Sequence, residues 1–333
     1  MPCLLLKANE LDFEGRWIVS LQDNKRTLVG LLEIEKNNQD WKAYLEGGPV
    51  EIKIKENEIE ILADSRDVRG FVFNRRLSGS LEDNKIQGRY QQEGTAAQKE
   101  APGPWSAIRE QISDLSVESP SKTKSADLTG IWTATQELDF RKYSMTLTQD
   151  GKDWLDSYLP YYDQPDVRCT SIGLPALVTY SFPFEILYSN ERLTFLYEYQ
   201  AKVRRIWTND EKPSSFMTPS RMGFSNGIWE GNELVIKTRL LEKTVRDFRG
   251  ELISENALIE ERYSISDDGE TLTALIIVDD PDNYERRPIR RRQWVRNSST
   301  EIFPYSCDPD SFYIPMYEDG EMQMYIDRSP LRF

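Results

Sequence analysis

The sequence contains no histidine. That absence removes Ser-His and Cys-His catalytic pairs, His-based zinc sites and imidazole proton shuttles, so any acid or base must be Asp, Glu, Tyr, Lys or Cys. Cysteine is scarce as well: Cys3, Cys169 and Cys307 lie too far apart for a CxxC redox or zinc motif, and three cannot all pair within one chain. In a reducing compartment they are expected as buried thiols, a Cys169–Cys307 disulfide being the disfavoured alternative. No run approaches about 18 apolar residues, so no helical bilayer span is expected. The opening MPCLLLKANELDF lacks the basic lead and cleavage site of a secretory leader. The expectation is a cytoplasmic protein without a membrane partner. Gly-rich phosphate loops in a strand-to-helix setting are missing, and so is a calcium loop of the EF-hand type, so neither a cofactor nor a metal is expected. DDPDN and CDPDS read as structural turns. Basic charge is outnumbered, 42 residues against 56 acidic for a net −14, which repels phosphate backbones and argues against a nucleic-acid partner.

What is present is strand signal. At 333 residues the chain is long enough for two domains with separate cores. In VEIKIKENEIEIL, Val50, Ile52 and Ile54 alternate with Glu51, Lys53 and Lys55, giving one dry and one wet face. About seven such strands divided by turns predict an antiparallel sandwich or small barrel over 1–108. Residues 109–127 lose their aromatics and gain Ser, Lys, Thr and Pro, the composition of a linker. A second start follows, because LTGIWTATQ at 128–136 echoes FEGRWIVSLQ at 13–22: a hydrophobe, then Gly, then Trp two further on. In the second domain, 128–333, Trp154, Leu155 and Tyr158 mark a short amphipathic helix ending at Pro160, a Pro- and Gly-rich loop follows, and strands then resume. The aromatic terminus FPYSCDPDSFYIPMYEDGEMQMYIDR is expected to pack over something rather than float free.

LTQDGKDWLDSY, RCTSIGLP, FEILYSNERLTFLYEYQAKVRRIWT, GIWEGNELVIKT, IEERYSIS and VDDPDNYERRPIRRRQW occur in the order found in a bacterial group of lipocalin-like two-domain β proteins with a G-x-W-E-G-D-x-L-V-V-x-T hairpin. The resemblance covers most of 128–307. It implies an all-β fold of two antiparallel β-barrel or sandwich domains with a helical insertion in the second. Members often carry a signal peptide and a His before the hairpin, where this chain has Phe224. Without either, the chain is similar to the cyclases of cyanobacterial scytonemin-type indole-alkaloid biosynthesis. That similarity implies a cofactor-free enzyme closing a ring on an indole keto-acid with loss of water and carbon dioxide. The alternatives are a carrier of an aromatic small molecule and an interaction scaffold; a homodimer is compatible with each.

The candidate site residues follow from strand parity. In LTFLYEYQAKVRRIW read as strand, Phe195, Tyr197 and Tyr199 share one face and Leu196, Glu198 and Gln200 the other, while Arg204 and Arg205 fall on opposite faces, the second with Trp207. An aromatic wall with an acid and a guanidinium suits a flat substrate carrying a carboxylate. The resemblance then implies that Arg204 or Arg205 holds that carboxylate and that Glu198 or Glu185 protonates the ketone, burial of a carboxyl among apolar groups favouring its neutral form. Tyr197, Tyr199, Trp207, Phe195, Trp229, Glu261 and Arg262 would line the site. The bland readings are a packed core and solvated ion pairs. In GIWEGNEL the glycine-containing turn reverses the chain and leaves Trp229 to cover a barrel end, which is scaffolding. Arg286, Arg287, Arg290, Arg291, Arg292 and Arg296 follow DDPDNYE directly and are expected to pair locally, with an inward Arg as the exception.

Overall fold

The computed structural model describes residues 13–23, 26–38, 40–66, 72–94, 101–110, 126–135, 145–189, 192–209, 212–246 and 249–332. The chain divides into two compact units, one of Met1–Leu115, Gln136–Thr146 and Pro288–Arg291, the other of Ser116–Thr135, Leu147–Arg287 and Arg292–Phe333. Most of the expected linker, 111–125, lies outside the described residues.

The first unit is a closed antiparallel barrel of eight strands in sequence order: β1 Gly15–Asp23, β2 Arg26–Asn37, β3 Asp40–Leu45, β4 Gly48–Lys55, β5 Glu58–Arg66, β6 Val72–Glu82, β7 Lys85–Gly94 and β8 Gly103–Arg109. Period-two alternation forms it: on β5 Ile59, Ile61 and Ala63 are buried while Glu58 faces out. Phe13, Trp17, Leu21, Leu32, Leu77, Tyr90 and Trp105 fill the interior with hydrophobic packing. Where β6 and β7 come closest, Gly79 faces Gly88, and a Cβ on Gly88 would stand 1.9 Å from the Ser78 carbonyl oxygen. Only glycine fits there.

The second unit holds a closed barrel of nine strands in the order β10–β11–β12–β13–β14–β17–β18–β19–β9. These are β9 Gly130–Ala134, β10 Phe184–Ser189, β11 Arg192–Tyr197, β12 Lys202–Trp207, β13 Phe224–Glu230, β14 Glu233–Arg239, β17 Leu258–Ile265, β18 Thr271–Asp279 and β19 Ile289–Arg296; β15 Thr244–Val245 and β16 Leu252–Ile253 form a separate small sheet. The fold is thus all-β with two barrels, and one pairing departs from the antiparallel expectation. β12 and β13 run parallel, joined at Ile206–Ser225 and Trp207–Asn226.

The expected helix is α1, Gln149–Asp156, capped by Thr148, whose hydroxyl accepts from the Gly151 amide at 3.1 Å. A second short turn, α2 Pro160–Asp163, begins at the proline where the first helix was expected to stop. The aromatic terminus forms α4 Asp310–Glu318 and α5 Met322–Arg332, and α3 Ala176–Thr179 lies in the loop before β10. The terminus packs, as its composition predicts: Phe312 and Met316 are buried, Tyr162 donates to Glu321 at 2.6 Å and Arg328 pairs with Asp163 at 2.5 Å. The cysteines correct the expectation of free thiols. Cys169 and Cys307 form a disulfide, their Cα atoms 5.7 Å apart, because the terminus returns to the loop after α2, a proximity that sequence spacing does not reveal. Among the described residues no helix is long and apolar enough to cross a membrane.

Candidate functional site: the interior of the second barrel

Alternate residues of the strands point inward. Phe184 and Ile186 of β10, Phe195 and Tyr197 of β11, Arg204 and Ile206 of β12, Ser225 and Trp229 of β13, Glu261 and Tyr263 of β17, and Trp294 of β19 are all buried. The interior therefore mixes rings with an ion pair.

Arg204 and Glu261 meet bidentately, Nη1 to Oε2 at 2.9 Å and Nη2 to Oε1 at 2.6 Å, with side chains 1% and 0% exposed. Arg204 Nε also donates to Ser225 Oγ at 3.1 Å and Nη2 to Thr238 Oγ1 at 2.8 Å; Ser225 and Thr238 lie opposite each other, their hydroxyls 2.9 Å apart. Tyr263 donates to Glu261 Oε2 at 2.8 Å. Burial alone would lower the Arg204 pKa, but the charge of Glu261 outweighs it and holds it above its ordinary value. Burial and then Glu261 keep the Tyr263 phenol neutral by raising its pKa. Such a pair repays its desolvation only when the remaining donors and acceptors are met, and here four of the five Arg204 N–H donors and both Glu261 oxygens are engaged.

Around this pair the rings form one cluster. Phe184 stacks on Phe195 at 5.7 Å, lies 5.5 Å from Tyr197 and meets Trp294 edge-on at 5.3 Å; Trp294 stacks on Tyr263 at 6.2 Å. Among the described residues, three phenol and indole groups of this interior have no acceptor for their proton: Tyr197 Oη, Trp229 Nε1 and Trp294 Nε1. Burial pushes the Tyr197 pKa up to about 12, opposed by the nearby Arg204 cation.

Of the sequence-predicted residues, the fold brings together Arg204, Glu261, Phe195, Tyr197 and Trp229. Trp229 is buried opposite Leu234, one pair from the hairpin turn. Arg205 and Trp207 alternate outward on β12, where the Arg192 guanidinium covers the Trp207 ring at 5.3 Å. Glu185 faces outward between buried Phe184 and Ile186. Arg262 lies on the face opposite Glu261, held by Glu230 at 2.7 Å, Glu233 at 3.0 Å and Glu260 at 3.3 Å. Glu198 and Tyr199 leave the expected wall because β11 stops at Tyr197. Glu198 turns helical and Gln200 left-handed, so strand parity no longer applies. The Glu198 carboxylate accepts from the Phe303 amide at 3.0 Å. Tyr199 stacks on Tyr180 at 4.5 Å, and both hydroxyls donate to Asp166 Oδ2, at 2.8 and 2.7 Å. Burial and then Asp166 raise both phenols above their ordinary pKa.

The arginine run splits its partners. Arg287 pairs locally with Asp279 at 3.3 Å, whereas Arg291 reaches Glu110 at 2.9 Å within the first unit. Arg292 is the inward member, on the same face as Trp294, its Nη2 donating to the Tyr180 carbonyl at 3.2 Å. Sequence reasoning did not select Trp294, Phe184, Ser225 or Thr238. Period two in IRRRQWVR pairs Trp294 with Arg292 on one face, a signal that becomes usable once the buried face is known.

No protein-family model matches the chain, and no curated protein matches it. Among solved structures, it is similar to a protein of unknown function from the DUF3598 family of Nostoc punctiforme, with 12% identity over 86% of this chain and 97% of that one and a TM-score of 0.28. It is also similar to a "putative outer membrane protein" of Bacteroides fragilis, with 10% identity over 86% and 98% and a TM-score of 0.23.

Proposed function

We propose that the second barrel is a small-molecule container, lipocalin-like in its use, which holds a flat aromatic ligand inside. The observation that carries this reading is the set of three buried donors without acceptors, Tyr197 Oη, Trp229 Nε1 and Trp294 Nε1. Each unmet buried donor costs about 1–3 kcal/mol, a cost that an acceptor-bearing ligand removes. The rings of Phe184, Phe195, Tyr263 and Trp294 supply the apolar walls that a planar molecule needs. Saturable quenching of tryptophan fluorescence by flat aromatic ligands tests the container. Its absence across a panel of such ligands would end the reading.

A second reading, catalysis of the cyclase type suggested by the sequence resemblance, is favoured by one feature. Tyr197 has a buried hydroxyl with no acceptor, beside the Arg204 cation, and can give its proton to a ligand ketone as a ring closes. The acids first considered, Glu198 and Glu185, face away from the interior, and both oxygens of Glu261 already accept hydrogen bonds. In this reading the proton donor is therefore Tyr197. Carbon dioxide release from the coupled indole keto-acid, lost in Tyr197→Phe, would favour the enzyme; saturable binding without release would favour the carrier. The Cys169–Cys307 disulfide supports an oxidising compartment rather than the cytoplasm first expected.

A further inference from the structure

We infer that the polar end of the interior ligand is an uncharged carbonyl oxygen bound by Tyr197 Oη and Trp294 Nε1, so that the barrel selects aryl ketones or quinones over aryl carboxylates. This deepens the container reading above and rests on it.

The two donors flank the same ring: Phe184 lies 5.5 Å from Tyr197 and 5.3 Å from Trp294, centroid to centroid. Both side chains are at least nine-tenths buried, at 5% and 1% exposure, and neither polar proton has an acceptor. An indole nitrogen only donates, so the ligand atom that satisfies Trp294 must accept. One carbonyl oxygen has two lone pairs and can take both donors, and the conjugated plane behind it suits the rings of Phe184, Phe195 and Tyr263.

Charge decides between a ketone and a carboxylate. Two guanidiniums are buried on this inward face: Arg204, which Glu261 neutralises, and Arg292, whose Cζ stands 5.9 Å from the Trp294 ring. Four of the five Arg204 N–H donors are engaged, two on Glu261 and one each on Ser225 and Thr238. A ligand carboxylate entering here would lose its hydration, which costs several kcal/mol, and would meet repulsion from Glu261, the counter-charge that already holds Arg204. Arg292 stands on the same face as Trp294 but spends Nη2 on the Tyr180 carbonyl. A neutral carbonyl meets no such cost.

The test is a matched set of three probes on the full chain: 2-acetylnaphthalene, 2-naphthoate and naphthalene, titrated calorimetrically at neutral pH. Two neutral hydrogen bonds predict that the ketone binds about tenfold or more tightly than either of the others. Tyr197→Phe and Trp294→Phe should each bring ketone affinity down towards that of naphthalene and leave naphthalene unchanged. Tyr197→Phe deletes a hydroxyl whose proton has no acceptor, so the variant should melt close to the parent temperature, which separates lost binding from lost fold. Naphthoate binding as tightly as the ketone would overturn the inference in favour of an anion site served by Arg204 or Arg292. Ketone binding equal to that of naphthalene, or unaltered in both variants, would also overturn it. If none of the three binds, the container reading itself fails.

Discussion

The Arg296 guanidinium lies 4.5 Å over the Trp132 ring and bonds the Thr129 carbonyl, the relation Arg109 has, at 4.3 Å, to Trp17 and the Glu14 carbonyl. In each barrel the arginine is on the last strand and the tryptophan on the first, directly opposite across the closing seam. Each tryptophan donates Nε1 to the carbonyl four residues earlier, Phe13 or Leu128, and each is preceded two positions back by a glycine with φ near +120°. The positive φ is what calls for glycine; a Cβ on Gly15 or Gly130 would also displace the guanidinium, at 2.8 and 2.7 Å from Nη1, and so disturb the clasp.

From this clasp, Arg296→Ala and Arg109→Ala should each destabilise their own barrel by about 2–3 kcal/mol, the sum of a cation–π contact and a charged hydrogen bond to a carbonyl. Gly130→Ala should be destabilising as well, through both the positive φ and the contact. Urea unfolding measures each. A change below about 0.5 kcal/mol in the two arginine variants would show that the seam does not depend on the clasp.

The Arg204–Glu261 pair predicts an asymmetry. Glu261→Gln leaves a buried guanidinium without its counter-charge and should cost about 3–5 kcal/mol. Replacing both, as Arg204→Met with Glu261→Leu, should cost far less, because no uncompensated charge remains. A double variant as unstable as the single one, measured by the same unfolding, would mean that the wider network through Ser225, Thr238 and Tyr263 carries the stability.

Much of this was legible in the chain. The echo of FEGRW in LTGIW reports the local half of the clasp, the Gly-x-Trp turn with its indole bond to the carbonyl four residues earlier, while the arginine arrives from the last strand and leaves no mark in the echo. Alternation gave the strands for the same reason. It also placed Arg204 and Arg205 on opposite faces, but parity alone cannot say which face is dry; that depends on which strands close the barrel around β12. Tyr199 was misplaced because one helical residue, Glu198, ends the alternation. Ser225 and Thr238 are unremarkable until hairpin register sets them opposite each other and Arg204 between them. The Cys169–Cys307 pairing depends on the path of the terminus, which composition marks as packed without saying where.

The buried phenols set an alkaline limit. The folded pKa of Tyr197 is about 12 and that of Tyr263 lies well above its ordinary value, against about 10 in the unfolded chain. A raised folded pKa means that the unfolded state releases these protons first. The stabilisation is therefore complete below about pH 10 and is lost as pH climbs through 10 towards 12. Tyrosinate absorbance should rise in two stages, the second coinciding with loss of near-ultraviolet circular dichroism. A single stage complete before any unfolding would contradict the buried placement of both hydroxyls. Tyr197→Phe should make the melting temperature less sensitive to pH over that window.

The disulfide ties the terminus to the loop after α2 across 138 positions, next to contacts that already hold the same segments, Arg328 to Asp163 and Tyr162 to Glu321. By loop entropy alone a cross-link of that span stabilises by up to about 5 kcal/mol. The neighbouring contacts make α4 and α5 partly self-sufficient, so reduction should loosen the terminus before it unfolds the barrel. Cys307 is exposed, within reach of a dithiol reductant, which would take the bond to two thiols by supplying two electrons and two protons. Dithiothreitol should therefore lower the melting temperature, and speed hydrogen exchange first in 301–332. Cys307→Ser should reproduce the effect and abolish any further response to reductant. Equal melting with and without reductant, in a protein whose alkylated mass confirms both cysteines reduced, would show that the terminus is held by its side-chain contacts alone.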